Sequence, residues 1–277
     1  MKVIAVGTLK GGTGKTTMTF NMLGVLAERG KVLAIDMDPQ CNLTNNMGFD
    51  ISDDDIYSCL DIFEDKFVDD KRLEPSKLVI KSPIEALPNL DIIVSSIRLV
   101  ATESRIGSRA GRERILLNYI EDHQDFFEQY DYIIIDTNPS MNIVNQNAFL
   151  AADSIILVTD PDNNSRIGLK LFIDLWDVIR RDLRKEDNIH AIVLNRGVLR
   201  SNLTAGIFEY LKNNERLSKL FVPKFIREKT VYPLAAINKN PMNVYQFTGP
   251  YDQRKSAKEA AREIEEVVEV LTDRGVF

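Results

Sequence analysis

Lys10-Gly11-Gly12-Thr13-Gly14-Lys15-Thr16-Thr17 follows the apolar run Val3-Ile4-Ala5-Val6 and leads into a helical pattern with Met18, Met22, Leu23 and Leu26 at its apolar positions. A strand, a glycine-rich turn and a helix start in that order make a cradle for phosphate. Glycines let successive backbone N–H groups turn inward toward anionic oxygens. Lys15 then sets its ammonium on the β/γ-phosphates of a nucleotide, and the Thr16 hydroxyl is an oxygen ligand for Mg²⁺. The opening strand is expected over residues 2–7 and the helix over 15–29, with Gly30 as its C′ residue.

Two acidic strand ends complete the pattern. Lys31-Val32-Leu33-Ala34-Ile35-Asp36-Met37-Asp38-Pro39-Gln40 is an apolar strand that finishes in two carboxylates one residue apart. Alternation puts Asp36 and Asp38 on the same side, at the carboxyl end where doubly wound sheets bind ligands. Tyr132-Ile133-Ile134-Ile135-Asp136 has the form of a Walker B strand, whose terminal aspartate holds Mg²⁺ through water opposite Thr16.

The chain has 277 residues, 44% of them hydrophobic and 27% charged, the composition of an ordinary globular protein. It has no run of 18 apolar residues and so no membrane-spanning helix. The first strand begins at once, which is expected to leave no room for a signal peptide. Cys41 and Cys59 lack metal-ligand spacing and imply no disulfide framework, which suits a reducing cytoplasm. Strand-like runs recur at Leu90–Val94, Ser154–Thr159 and Ile189–Asn195, and helical ones at about 164–184, 202–218 and 251–273. Residues 43–75 read as helical and acidic, with Leu60, Ile62, Phe63 and Phe67 in the core. Arg105, Arg109, Arg112 and Arg114 crowd the start of a helix that runs to about residue 128. This alternation gives an α/β fold: one doubly wound, mostly parallel sheet with helices on both faces, in a single domain spanning 1–277 that begins with the phosphate loop.

Net charge is −6, yet it is unevenly spread. Asp50 to Glu74 holds 10 acidic and 3 basic residues, whereas Arg196 to Lys258 holds 12 basic and 4 acidic. Such asymmetry gives one surface suited to a polyanion, unless the charges scatter over opposite helix faces.

The phosphate loop carries Leu9 where the general Walker pattern has glycine, and Lys10 just after it. In this form it resembles the deviant Walker ATPases, which include ParA partition proteins, MinD and the nitrogenase iron protein. The resemblance implies that Lys10 reaches across a dimer interface to a partner's ATP. It also implies that Asp38 orients or activates the attacking water, and that Asp36 supports the Mg²⁺ and phosphate-loop network. The ATP-binding set is then Lys10, Gly11, Gly12, Thr13, Gly14, Lys15, Thr16 and Thr17, with Asn195 at the adenine edge. Lys10, Lys15 and Asp38 are catalytic, and Thr16, Asp36 and Asp136 serve the metal. Cys41 stands where the family usually has glycine, Asn138 where it has proline, and Asn240 in place of another glycine.

Val222-Pro223-Lys224-Phe225-Ile226-Arg227 resembles the family's I-P-x-x-x-R segment. The cysteines sit too early to bridge a cluster as in the nitrogenase iron protein. The chain ends in an acidic helix, unlike the basic amphipathic helix of MinD-type proteins. The resemblance is therefore to a small ParA-type partition ATPase, expected to lack an added N-terminal operator-binding domain. It implies an ATP-bound homodimer that binds DNA without sequence preference, through Arg196, Arg200, Lys224, Arg227 and Lys229. It further implies a ParB-like centromere-binding partner, a cytoplasmic, nucleoid-associated location and no membrane. The alternative is a MinD-like positioning ATPase that acts on protein partners or a membrane without touching DNA.

Overall fold

β1 (Lys2–Gly7), β2 (Val32–Asp36) and β7 (Tyr132–Asp136) are apolar at every position between their ends, as strands covered on both faces must be. In the computed structural model, which describes all residues but 50–55 and 69–70, these strands lie at the centre of one sheet. The others are β3 (Phe67–Val68), β4 (Lys71–Arg72), β5 (Ile80–Lys81), β6 (Leu90–Ile93), β8 (Ser154–Thr159), β9 (Ile189–Gly197) and β10 (Phe221–Arg227). Among the described residues eight strands pair in the order β10-β9-β8-β1-β7-β2-β6-β5, parallel throughout except for the short edge strand β5. β3 and β4 form a separate antiparallel hairpin.

Side-chain alternation divides the core in two. Val3, Ala5, Leu33, Ile35, Ile133 and Ile135 face one layer, which holds the helices Ile115–Asp122, Ile143–Ala151 and Asn163–Asp182. Ile4, Val6, Val32, Ala34 and Ile134 face the other, with the helices Lys15–Ala27 and Tyr251–Asp273. The C-terminal helix keeps the expected bounds and buries Ala257, Ala260, Ala261, Ile264, Val267, Val268 and Leu271.

The sheet order positions the site. β1 feeds β2 across β7, while β7 feeds β8 across β1, so the chain turns opposite ways on the two sides of β1. The crevice at that reversal is where such sheets bind ligands.

Several boundaries differ from expectation. Residues 43–75 break into the short helices Asn42–Asn46 and Cys59–Phe63 and the β3–β4 hairpin. Leu60, Ile62 and Phe63 are buried there; the side chain of Phe67 and much of the acidic run lie outside the described residues. The arginine-rich stretch is a series of short turns in which Arg105 pairs with Glu64 and Arg109 with Asp65. Phe221–Arg227 joins the sheet as its far edge strand, which its interrupting Pro223 concealed.

The phosphate-loop helix stops at Ala27, and Gly30 is not a left-handed cap. A Cβ at Gly30 would lie 2.5 Å from the Asp131 carboxylate, so close approach, not backbone twist, selects glycine there. The same holds inside the helix: a Cβ at Gly24 would lie 2.3 Å from Asn243 Oδ1 and 2.7 Å from Pro241. Gly24→Ala should therefore destabilise the fold by about 1–3 kcal/mol although alanine is the better helix former. Urea denaturation measures this; a gain in stability would mean that the contact is loose.

Candidate functional site

The phosphate loop rises from β1 and hands the chain to a helix that starts at Lys15. Gly14 sits at φ 76°, and a Cβ there would come within 2.4 Å of Asn195 Nδ2, so no other residue fits. Leu9, in the place of the usual glycine, packs against the core beside Leu169 and Phe172 and anchors the loop to the helix Asn163–Asp182.

The two lysines go opposite ways. Lys15 Nζ lies 2.6 Å from Asp136 Oδ1, with Lys15 and Asp136 both buried. Thr16 Oγ1 donates to Asp136 Oδ2 at 2.7 Å and Thr19 Oγ1 to Oδ1 at 3.0 Å. Lys10 points to the β8 side of the loop, where its ammonium lies 3.0 Å from both Asp160 oxygens and 3.2 Å from Asp162 Oδ2. Thus Lys15, Thr16, Asp38 and Asp136 gather at one end of the sheet, and Lys10 stands apart from them.

Asp36 is wholly buried behind this group. Its oxygens accept from Asp38 N–H (3.1 Å), Thr44 N–H (2.9 Å) and Thr44 Oγ1 (2.7 Å). Burial, reinforced by the charge of Asp136, pushes its carboxyl up to about 7 from the usual 3.8. Asp36 is therefore the brace of the β2 turn, holding Asp38 and Thr44 in place. Asp38 reaches the cleft, and burial raises its carboxyl while the Gln40 N–H and the Lys15 charge pull it back. An exposed water next to it would meet a carboxylate more basic than one in solvent.

A cleft of about 460 Å³ opens above the loop, lined by residues 10–17, Asp38, Gln40, Asn42, Asn46, Pro139, Tyr232, Pro233 and Ala236. Its fit to a nucleotide rests on the inward-turned loop and on two buried hydroxyls, Thr13 Oγ1 and Tyr232 Oη, that have no partner among the described residues. Thr16 and Asp136 are hard oxygen donors of the kind Mg²⁺ takes alongside phosphate oxygens and water. The Tyr232-Pro233-Ala236 wall carries no chemical signature in the sequence; only its place after the Val222–Arg227 segment hints at it.

The departures from the resembling pattern have local causes. Cys41 is buried at φ 53°, a left-handed conformation, which is why glycine suits that position. Asn138, where proline is usual, accepts from Asn145 Nδ2 at 2.8 Å and so ties the turn to the following helix.

A family model described as an AAA domain matches residues 1–189. The chain is 31% identical over 229 residues to the sporulation initiation inhibitor protein Soj of Bacillus subtilis, covering 82% of this chain and 85% of Soj. The chain belongs to the ParA/Soj family of P-loop ATPases. Among solved structures, a putative plasmid partition protein of Borrelia burgdorferi bound to AMPPNP superposes with a TM-score of 0.75 at 23% identity, covering 99% of both chains. An Asp-to-Ala variant of Cyanothece McdA in complex with ATP gives 0.81 at 22% identity, covering 98% of this chain and 96% of the other. These two likenesses show the fold.

Within this ParA-type chain, Asn195 does not line the cleft. Its amide donates to the Thr13 carbonyl at 2.8 Å and the Gly14 carbonyl at 3.3 Å, bracing the loop. Arg196 likewise donates to the Gly12 carbonyl at 2.8 Å and pairs with Glu228. Lys224 is held by Glu266 at 2.9 Å, Lys229 by Glu259 at 2.9 Å, and Arg227 by Glu263 and Glu259. Of the five basic residues expected on DNA, Arg200 alone has no carboxylate partner among the described residues.

The raised Asp36 carboxyl has a pH signature. Its protonated form favours the fold, so its contribution is whole below about pH 3.8 and is lost as pH rises through about 7. Asp36→Asn should flatten that fall in thermal melts taken across the same range. A wild-type pH profile retained by the variant would assign the fall to another group.

Proposed function

We propose that this chain is a ParA-type partition ATPase in which Mg²⁺-dependent ATP hydrolysis is completed by a second copy. The observation that carries this reading is the divergence of Lys10 from Lys15. Lys15 is aimed into the chain's own cleft toward Asp136, whereas Lys10 lies on the β8 side of the loop among Asp160 and Asp162. An ammonium placed there is turned away from its own metal side and suits contact with a nucleotide held by a facing protomer.

In this reading Lys15 and Thr13 to Thr17 bind the phosphates, and Thr16 and Asp136 hold Mg²⁺, which neutralises charge on the transferred phosphoryl group. Asp38 orients the attacking water. Catalysis is electrostatic positioning, with little covalent work for the protein. ATP joins two chains into a symmetric dimer, and that dimer engages DNA and a ParB-like partner that stimulates hydrolysis. A cytoplasmic, nucleoid-associated location follows. The MinD-like alternative loses support from the C-terminal helix, whose apolar stripe is buried in the core and is not free to lie on lipid. Among the described residues no helix is long and apolar enough to cross a membrane.

Three variants separate the roles. Lys15→Ala should lose nucleotide affinity by about tenfold or more, since it removes the buried charge on the phosphates. Lys10→Ala should bind nucleotide nearly as wild type yet hydrolyse almost none. Asp38→Ala should hold ATP and dimerise without turnover. Titration with a fluorescent ATP analogue and a phosphate-release assay read these effects; rapid hydrolysis by Asp38→Ala would refute its role. Light scattering with a non-hydrolysable triphosphate and Mg²⁺ should report a dimer, and a monomer under those conditions would sink the reading.

A further inference from the structure

Arg227, Lys224 and Lys229, the basic residues most prominent in the sequence, are spent on Glu259, Glu263 and Glu266 of the C-terminal helix. A surface for a polyanion has to be sought elsewhere. Three helices end at one corner of the molecule: Val231–Ile237, Met242–Thr248 and the start of Tyr251–Asp273. Asn240 Nδ2 meets Thr248 Oγ1 at 3.4 Å, and Tyr245 Oη donates to Gln253 at 2.6 Å. Arg254 Nε donates to the Gly249 carbonyl at 3.0 Å, so the three ends are tied together.

This corner exposes its apolar side chains. Ile237 is 75% accessible, Phe247 72% and Tyr251 89%, the highest values for large hydrophobic side chains among the described residues. Single exposed apolar residues are common; three at one corner, beside cations, mark a contact surface. Tyr251, Arg254, Lys255 and Lys258 fall at helical spacing on one exposed face. Among the described residues no close ion pair links Arg254, Lys255 or Lys258 to a carboxylate, although the charge of Lys255 reaches Glu259 one turn on. Glu259 is already engaged by Lys229 and Arg227.

We propose that this corner, with Arg254, Lys255 and Lys258 flanking Ile237, Phe247 and Tyr251, is the surface that seats duplex DNA. The assignment rests on the DNA-binding part of the proposed function. Cations spread over just more than one turn of helix, about 6 Å along its axis, place three charges within reach of neighbouring backbone phosphates. The flat exposed rings add contact with sugars and base edges that salt does not screen. A lipid surface is disfavoured, because the apolar stripe of the same helix is buried.

The corner is also coupled to the nucleotide cleft. Tyr232, Pro233 and Ala236 line the cleft from the helix that ends at Ile237. Met242 N–H donates to Asn21 Oδ1 at 2.7 Å, and Asn243 Nδ2 to the Gly24 carbonyl at 3.0 Å, both on the phosphate-loop helix. A shift of the cleft wall on ATP binding would therefore move the base of the corner.

Fluorescence anisotropy of a short mixed-sequence duplex, with the full chain, ATP and Mg²⁺ over a NaCl series, tests the assignment. Lys255→Ala/Lys258→Ala should lower the slope of log affinity against log salt by about 1.8, at about 0.9 per phosphate contact. Phe247→Ala/Tyr251→Ala should weaken binding about tenfold at every salt concentration and leave the slope unchanged. Lys224→Ala, whose ammonium already serves Glu266, should change neither. Retained ATP affinity shows that each variant is folded, and Lys255→Glu is the single-site check on charge.

Wild-type binding matched by both double variants would overturn the corner while leaving DNA binding in place. No ATP-dependent retention of wild type on DNA at low salt would instead remove the DNA reading itself, and the corner with it. Corner-dependent binding to phosphatidylglycerol vesicles with none to the duplex would assign the surface to lipid and refute the proposal.

Discussion

A carboxylate with no exposed surface stands at the end of β7, and the site is built around it. Asp136 would be costly to bury as an unpaired anion; Lys15, Thr16 and Thr19 satisfy it with one charge-assisted contact and two hydroxyl hydrogen bonds. All three come from the first turns of the helix that follows the phosphate loop. The register of that helix against the sheet is thereby fixed by the same groups that would meet phosphate and metal. Asp36, buried one strand away, repeats the device with Thr44 and the Asp38 N–H. Its raised affinity for a proton comes first from burial and then from the charge of Asp136 at the same end of the sheet.

The loop itself is held from both flanks. Asn195 and Arg196, at the end of β9, occupy the carbonyls of Gly12, Thr13 and Gly14 and leave the N–H side of the loop turned toward the cleft. Lys10 is drawn toward β8 by Asp160, itself buried and bonded by Ser165. The strand order β8-β1-β7-β2 is what makes two lysines five positions apart serve opposite sides, because β7 ends in Asp136 and β8 is followed at once by Asp160. In the proposed dimer, moving Lys10 onto the other protomer's nucleotide would exchange this half-buried pair for a phosphate contact, one charge interaction for a comparable one.

Surface charge behaves differently from its sum. The excess of cations from Arg196 to Lys258 is real, but most of those on β10 and the turn after it face the acidic side of the C-terminal helix. There they form a network that docks the helix on the sheet edge. Among the described residues, Arg254, Lys255 and Lys258 at the start of that helix take no part in this network and lie next to exposed aromatic rings.

The linear chain by itself determined the phosphate loop, both acidic strand ends, the parallel α/β architecture and the bounds of the last helix. Each of these is a local pattern: a glycine turn between strand and helix, an unbroken apolar run ending in Asp, a stripe at helical spacing. The tertiary structure alone decided that Asn195 braces the loop, that Lys10 meets Asp160, that Tyr232 walls the cleft and that Arg227 is neutralised by Glu263. Those contacts join residues from 36 to 182 positions apart. No periodicity or motif encodes them, because a charge or amide is satisfied by whichever group the packing of distant segments brings within hydrogen-bonding reach.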